Sequence, residues 1–225
     1  SYITPCSRND PDLENCVVRN GQKAIPYFVN GDPKYRVPRL DPFFVPELSV
    51  SQGNRQLGLR LTLRDTETFG LRNATFTRAK LDLKAGEARW DFKIPRIEIL
   101  GQYSVSGQIL ILPVFGNGLA NITLTMLELG YKHSWGLVQR KGKEYMEFTE
   151  GEIIFKTGRT YFDLQNLFNG DKLLGENMNM FLNQHWEEVI KELGPVVAEA
   201  VSKIFSLMLS NIAQLVPYSE IYPDT

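Results

Sequence analysis

The chain has little of what most protein chemistry requires. Its 225 residues contain two cysteines and two histidines. Neither type occurs at the CxxC or HExxH spacing of a metal or redox site, so no metal and no cofactor is expected. The GxSxG elbow and the P-loop are missing too, and no motif places a serine beside a base. The expectation is a protein that is not an enzyme. Charge of one sign is equally scarce: 25 Lys and Arg face 26 Asp and Glu, for a net charge of −1. Without a polybasic run there is no broad attraction to phosphate, and no nucleic-acid partner is expected. Nor is there a long unbroken apolar run. The stretch from Ile204 to Ser219 is interrupted by Ser206, Ser210, Asn211 and Gln214. It falls short of the roughly 20 apolar residues a bilayer crossing takes, so stable membrane insertion is not expected.

What remains is ordinary globular composition, 43% hydrophobic, consistent with one packed, soluble domain. Cys6 and Cys16 stand ten positions apart and read either as one disulfide closing a short loop or as two buried thiols. Two sequons, Asn73-Ala74-Thr75 and Asn121-Ile122-Thr123, tilt the choice toward a bridge, toward glycosylation at Asn73 and Asn121, and toward a secreted, extracellular protein. The chain opens at Ser1 without a charged-then-apolar leader, as a processed product would.

Three patterns follow one another. Asp10-Pro11 opens a helix over 11–28, with Leu13, Cys16, Val17, Ala24, Ile25 and Phe28 at mostly helical spacing. Gly21 weakens it, and Pro26 ends or kinks it. Gly and Pro then dominate through Asn30–Pro46. From about 48 to 164 the period is two. Leu57, Leu59, Leu61 and Leu63 alternate with polar partners, as do Trp90, Phe92 and Ile94. Ile97, Ile99, Tyr103, Val105, Ile109 and Ile111 share one parity across Gly101 and Gly107. These are half-buried antiparallel strands, bent at glycines, with a hairpin tip at Arg140–Lys143. Nothing between them resembles a crossover helix. From about 175 to 216, helical spacing returns, with a kink at Gly194-Pro195. That helix would be roughly 60 Å long at about 1.5 Å per residue, and apolar on most sides past Ala198. The fold class is α+β: a long C-terminal helix wrapped by a strongly curved antiparallel sheet, in one elongated domain, residues 1–225.

Candidate chemistry is thin. Gly116-Asn117-Gly118 begins like a dinucleotide loop but lacks the third glycine, and reads as a turn or bulge between strands. His185 and Glu188 sit three apart on the long helix, where a solvated face explains them. His133 reads as a surface or satisfied core histidine. More informative is the apolar content, with five Met, thirteen Phe and three Trp. A curved sheet around a kinked helix leaves room for an apolar tunnel. Its expected liners are Trp90, Phe92, Ile94, Tyr103, Val105 and Ile109 from strands, with Phe181, Val197, Val201, Phe205 and Met208 from the helix. Tyr103, Tyr131 or Thr123 would supply a polar contact.

The order of these features is specific. A Cys6–Cys16 pair precedes a helix; Gly31–Pro46 carries Asp41-Pro42-Phe43; Gly116-Asn117-Gly118 leads into Asn121-Ile122-Thr123-Leu124. The long helix holds Asn177, Phe181-Leu182-Asn183 and Trp186, and the chain closes with Val216-Pro217-Tyr218-Ser219-Glu220-Ile221-Tyr222. Over essentially its whole length this resembles the insect takeout and juvenile-hormone-binding protein family. The resemblance implies a secreted carrier of small hydrophobic ligands (fatty-acid, isoprenoid or hormone-ester type), a Cys6–Cys16 disulfide, and a fold similar to one half of the lipid-transfer proteins related to bactericidal/permeability-increasing protein. Moth haemolymph hormone carriers have a second disulfide toward the C-terminal part. This chain has no cysteine after Cys16, which places it with the takeout branch. A monomer is expected. Two other readings are a membrane-surface or partner-binding module anchored by Phe43-Phe44 or by Tyr218 and Tyr222, and an ester hydrolase using His133 or His185.

Overall fold

A computed structural model describes residues 3–53, 58–149 and 151–225. Leu57 lies outside the described residues. Two very long strands form the spine: β4 (Glu87–Ile109) and β5 (Leu112–Arg140), paired antiparallel along their length. On the β4 side lie β1 (Phe43–Gln52), β2 (Leu59–Phe69) and β3 (Thr75–Asp82). On the β5 side lie β6 (Lys143–Phe148), β7 (Glu152–Lys156) and β8 (Arg159–Leu164). Every pairing is antiparallel. β1 begins five residues earlier than its alternation suggested, because the run from Phe43 pairs with β2 on both sides of Pro46.

The sheet folds along one line, and four interruptions share it. β2 pairs with the second part of β4 and β3 with the first, separated by a 3-10 turn at Leu71–Asn73. Pro95 drops out of the β4–β5 ladder opposite Met126, which sits at φ 50°. On the far side, β7 and β8 are one edge broken at Thr157-Gly158. Inward parity changes there: Ile94 and Ile97 are both buried, three apart instead of two. A local left-handed residue in one strand and a proline in its partner turn both backbones together. Gly70 fits the crease because a Cβ there would collide with the carbonyl oxygen of Arg96. Asp41, 3% exposed, fixes this turn. Its carboxylate accepts hydrogen bonds from the Arg72 backbone N–H at 2.8 Å, from Arg72 Nε at 3.1 Å and from the Gly70 N–H at 3.3 Å.

Helix α1 (Leu13–Phe28) lies against β3. Pro26 sits inside it on an exposed face and does not end it. Gln22 fastens the helix to the strand: its Nε2 donates to the Ala74 carbonyl and its Oε1 accepts from the Phe76 N–H at 2.6 Å. The C-terminal helical region is broken at His185 (φ −109°, ψ 31°) into α2 (Lys172–Gln184) and α3 (Trp186–Leu215). Pro195, the expected kink, is carried within α3; it is exposed, so the carbonyl its missing N–H leaves unpaired can meet water. Helix α3 touches β1 at one edge of the sheet and β6, β7 and β8 at the other. The sheet thus wraps around it. By length and composition alone α3 would suffice to cross a bilayer, beyond what the Ile204–Ser219 run suggested. The reason is that Glu199 and Lys203 fall together, leaving long apolar stretches around them.

Three further expectations are corrected. Gly116 and Gly118 lie within β5, not between strands, where Leu167 and the Gln165 carbonyl approach too closely for a side chain. Ile111 is 79% exposed, because it sits at the β4–β5 hairpin tip and not on the buried face. Tyr218 and Tyr222 are buried in the C-terminal turn α4 (Tyr218–Ile221) and beside it, so neither presents a surface anchor; Phe43 is buried against Phe205, and Phe44 is exposed. Edge protection was not foreseen. Asn179 and Asn183, one turn apart on α2, each pair a side-chain amide with β8, meeting both the N–H and the C=O of Leu164 and of Phe162. The edge strand's free backbone groups are thereby consumed.

Candidate ligand-binding site

The crease divides the interior into two halves of different character. Beyond it, toward the β4–β5 hairpin, Tyr103, Val105 and Ile109 pack with Val114, Leu167 and Leu182 into a closed core. The Tyr103 hydroxyl donates to the Gln165 carbonyl at 2.6 Å, and burial pushes its pKa up to about 12. On the other side a cavity of about 410 Å³ remains open. Its floor is Trp90, Phe92 and Ile94 of β4, with Leu129 and Tyr131 of β5 and Ile153 of β7. The roof is Phe205, Met208, Leu209 and Ile212 of α3. One flank is α1 (Val17, Ala24, Ile25 and Phe28) with Phe76 of β3, and the N-terminal segment Ile3–Cys6 closes over it beside Tyr222. No charged side chain lines it among the described residues.

The closing segment is tied down covalently and by hydrogen bonds. Cys6 and Cys16 form a disulfide with Cα atoms 6.0 Å apart. Asn20 Nδ2 donates to the Thr4 carbonyl at 3.0 Å. The two chain ends meet here: the Arg8 N–H donates to the Pro223 carbonyl at 2.8 Å, and the Arg8 guanidinium pairs with Asp224 and lies over the Tyr218 ring.

Of the expected liners, Trp90, Phe92, Ile94, Phe205 and Met208 meet at this cavity. Tyr103, Val105 and Ile109 face inward as well but lie past the crease, in the closed half. Phe181 packs against that closed half, its ring 4.7 Å from His185. Val201 packs against the Tyr131–Ile153–Ala198 cluster, and Val197 is half-buried on α3; neither lines the cavity. Thr123 bonds its neighbour Asn121, whose amide donates to Glu98 Oε1 at 3.1 Å. Tyr131 does line the cavity, but its hydroxyl is shared with Ser206 Oγ at 2.9 Å. Burial raises its pKa and that hydrogen bond partly offsets the rise. Missed from sequence were the N-terminal segment, Phe76, Leu129, Ile153 and the α1 face. The last had a signal, since Val17, Ala24, Ile25 and Phe28 share one helical stripe.

Behind the Trp90 wall sits an aromatic cluster. His133 is 6% exposed, with its ring centroid 4.7 Å from Trp90, 5.0 Å from Phe148 and 5.4 Å from Tyr131. Neither of its nitrogens has a hydrogen-bond partner, and neither does Trp90 Nε1. It is buried but not satisfied, contrary to expectation. Burial without a partner pushes its pKa down to about 4, so the imidazole is neutral near pH 7. His185 lies exposed at the helix break, 3.9 Å from Glu188. No cluster of three metal-ligating side chains occurs among the described residues.

A helix cradled by a curved antiparallel sheet, with an uncharged apolar cavity between them, is the architecture of a hydrophobic-ligand-binding protein. The haemolymph juvenile hormone binding protein (JHBP) family matches residues 1–223, and the chain belongs to that family. It is one of carriers that bind hydrophobic ligands, not of enzymes. The chain is 27% identical to the circadian clock-controlled protein daywake of Drosophila yakuba and 26% identical to that of Drosophila melanogaster, in each case over 98% of this chain and 88% of the relative. Among solved structures, Takeout 1 of Epiphyas postvittana is 30% identical, covers 98% of this chain and 100% of its own, and superimposes with a TM-score of 0.84. The single disulfide agrees with that takeout-like placement.

Proposed function

We propose that the protein is a secreted carrier that holds one small lipophilic ligand, of fatty-acid, isoprenoid or hormone-ester type, in the cavity between α1, α3 and the sheet. One observation carries the reading: about 410 Å³ of space walled mainly by apolar and aromatic side chains, with no charged one among the described residues. That volume lies within the usual range for small-molecule sites. Binding energy comes from removing methylenes from water, roughly 0.8 kcal/mol each. Selectivity then follows length and shape. A disulfide and two sequons support export. Glycans at Asn73, on the exposed crease turn, and at Asn121, on the outer sheet face, belong to the same proposal.

Solvent extraction and native mass spectrometry of protein purified from an insect-cell secretion medium test it. One apolar small molecule per chain is the expected result. Empty protein that also takes up no fatty acid, isoprenoid or hormone ester would overturn it.

A further inference from the structure

The cavity ends abruptly, and one side chain outside its lining stands behind that end. Its inner wall is Ile94, Leu129 and Ile153. Directly opposite Leu129 in the β5–β7 ladder is Phe155, two residues from Ile153 and on the same face. Phe155 packs both with the Ile94–Ile97–Leu127 cluster at the crease and with the Tyr131–Ile153–Ala198 cluster beside the cavity. It bridges the sheet to α3 there. A Cβ built on Gly194 would lie 3.0 Å from Phe155 Cζ, so the ring tip occupies the notch that the missing side chain leaves. Along α3 the lining residues run from Phe205 to Ile212 and stop short of Val201 and Ala198, which pack against the same cluster as Phe155. Past the crease the interior is filled.

We infer that Phe155, seated in the Gly194 notch, is the stopper that sets the length of ligand the protein holds. The inference rests on the carrier reading above and names the ligand's size. A linear chain entering from the mouth can extend inward only as far as this stopper. A chain longer than that span leaves its excess methylenes in water at the mouth, where they add no affinity. The ligand is therefore a lipophile whose buried length is fixed by the span from the mouth to Phe155.

A homologous series of linear primary alcohols, octanol to octadecanol, displacing a bound N-phenylnaphthylamine fluorophore, tests this. For the wild type, affinity is expected to rise about fourfold per carbon and then level off before octadecanol is reached. Phe155→Ala is expected to move the plateau upward by about three carbons and Phe155→Leu by about one, while decanol affinity stays within about threefold. Phe162→Ala, which opens the closed half, is expected to leave the plateau where it is. A wild-type plateau at octadecanol, or Phe155 variants with an unmoved plateau, would overturn the stopper and leave the carrier intact. No displacement by any chain would instead remove the carrier reading. Should Phe155→Ala lose its circular dichroism signature, the wild-type plateau and the milder leucine variant still decide.

Discussion

A Cβ on Gly21 would lie 2.7 Å from Cδ1 of Phe76. The glycine that weakens α1 as an isolated helix is what lets the helix settle on β3. Phe76 has little room to yield, since it stacks on Phe92 with centroids 4.6 Å apart. Alanine would gain about 1 kcal/mol in helix propensity, yet overpacking costs typically about 1–3 kcal/mol. Gly21→Ala should thus lower the melting temperature, and Phe76→Leu in the same chain should restore part of the loss. A double-mutant cycle measures the coupling.

Histidine 133 makes stability depend on pH in a defined window. Its pKa in the folded chain is about 4 against about 6.5 when unfolded. Above pH 6.5 both states are neutral there and nothing changes. As pH falls from 6.5 toward 4 the unfolded chain takes up the proton first, so stability declines; below 4 the decline from this group ends. The total is roughly 3 kcal/mol. His133→Phe should flatten that part of the profile, read by urea unfolding at half-unit steps. An unchanged slope between pH 4 and 6.5 would contradict the assignment.

The Asp41 carboxylate is buried with three donors aimed at it. Asp41→Ala leaves the two N–H groups of the crease turn without their acceptor and should cost about 3 kcal/mol. Asp41→Asn, which keeps one oxygen, should cost less. Urea midpoints should fall in that order without a change in slope.

The two halves of the interior should answer differently to substitution. Met208→Trp fills the cavity from α3 and should weaken binding of a lipophilic probe more than about tenfold, with the fold retained. Tyr103→Phe removes only the bond to the Gln165 carbonyl in the closed half. It should cost about 1 kcal/mol of stability and leave probe affinity unchanged. Fluorescence titration beside thermal melting separates the two effects.

The period-two segments, the helical C-terminal third and the disulfide region were legible because each is a local pattern. Trp90, Phe92 and Ile94 announced the face that reaches the cavity. The same alternation marked Tyr103, Val105 and Ile109 as inward but carried no sign that the crease at Pro95 and Met126 puts them in a separate, filled half. Pro95 is a visible breaker; Met126 at φ 50° is not. The helix break fell at His185 and not at Gly194-Pro195 for a similar reason. An exposed proline is tolerated by a helix held on both flanks, and Gly194 serves Phe155, a residue about forty positions away that no local rule connects to it. Long-range partners of this kind, like the Asn179 and Asn183 amides on β8, become apparent only once the strands are in place.

The crease gives one continuous strand two unequal lifetimes. Ladder bonds of β4 after Ile97 are backed by a filled core, whereas those of Trp90 to Ile94 border the cavity. Amide hydrogens of 97–109 should therefore exchange slowly with or without ligand, and those of 90–94 should slow further when a lipophilic probe is bound. The strand would then report occupancy along its own length, with the filled half as an internal clock against which the other half is timed.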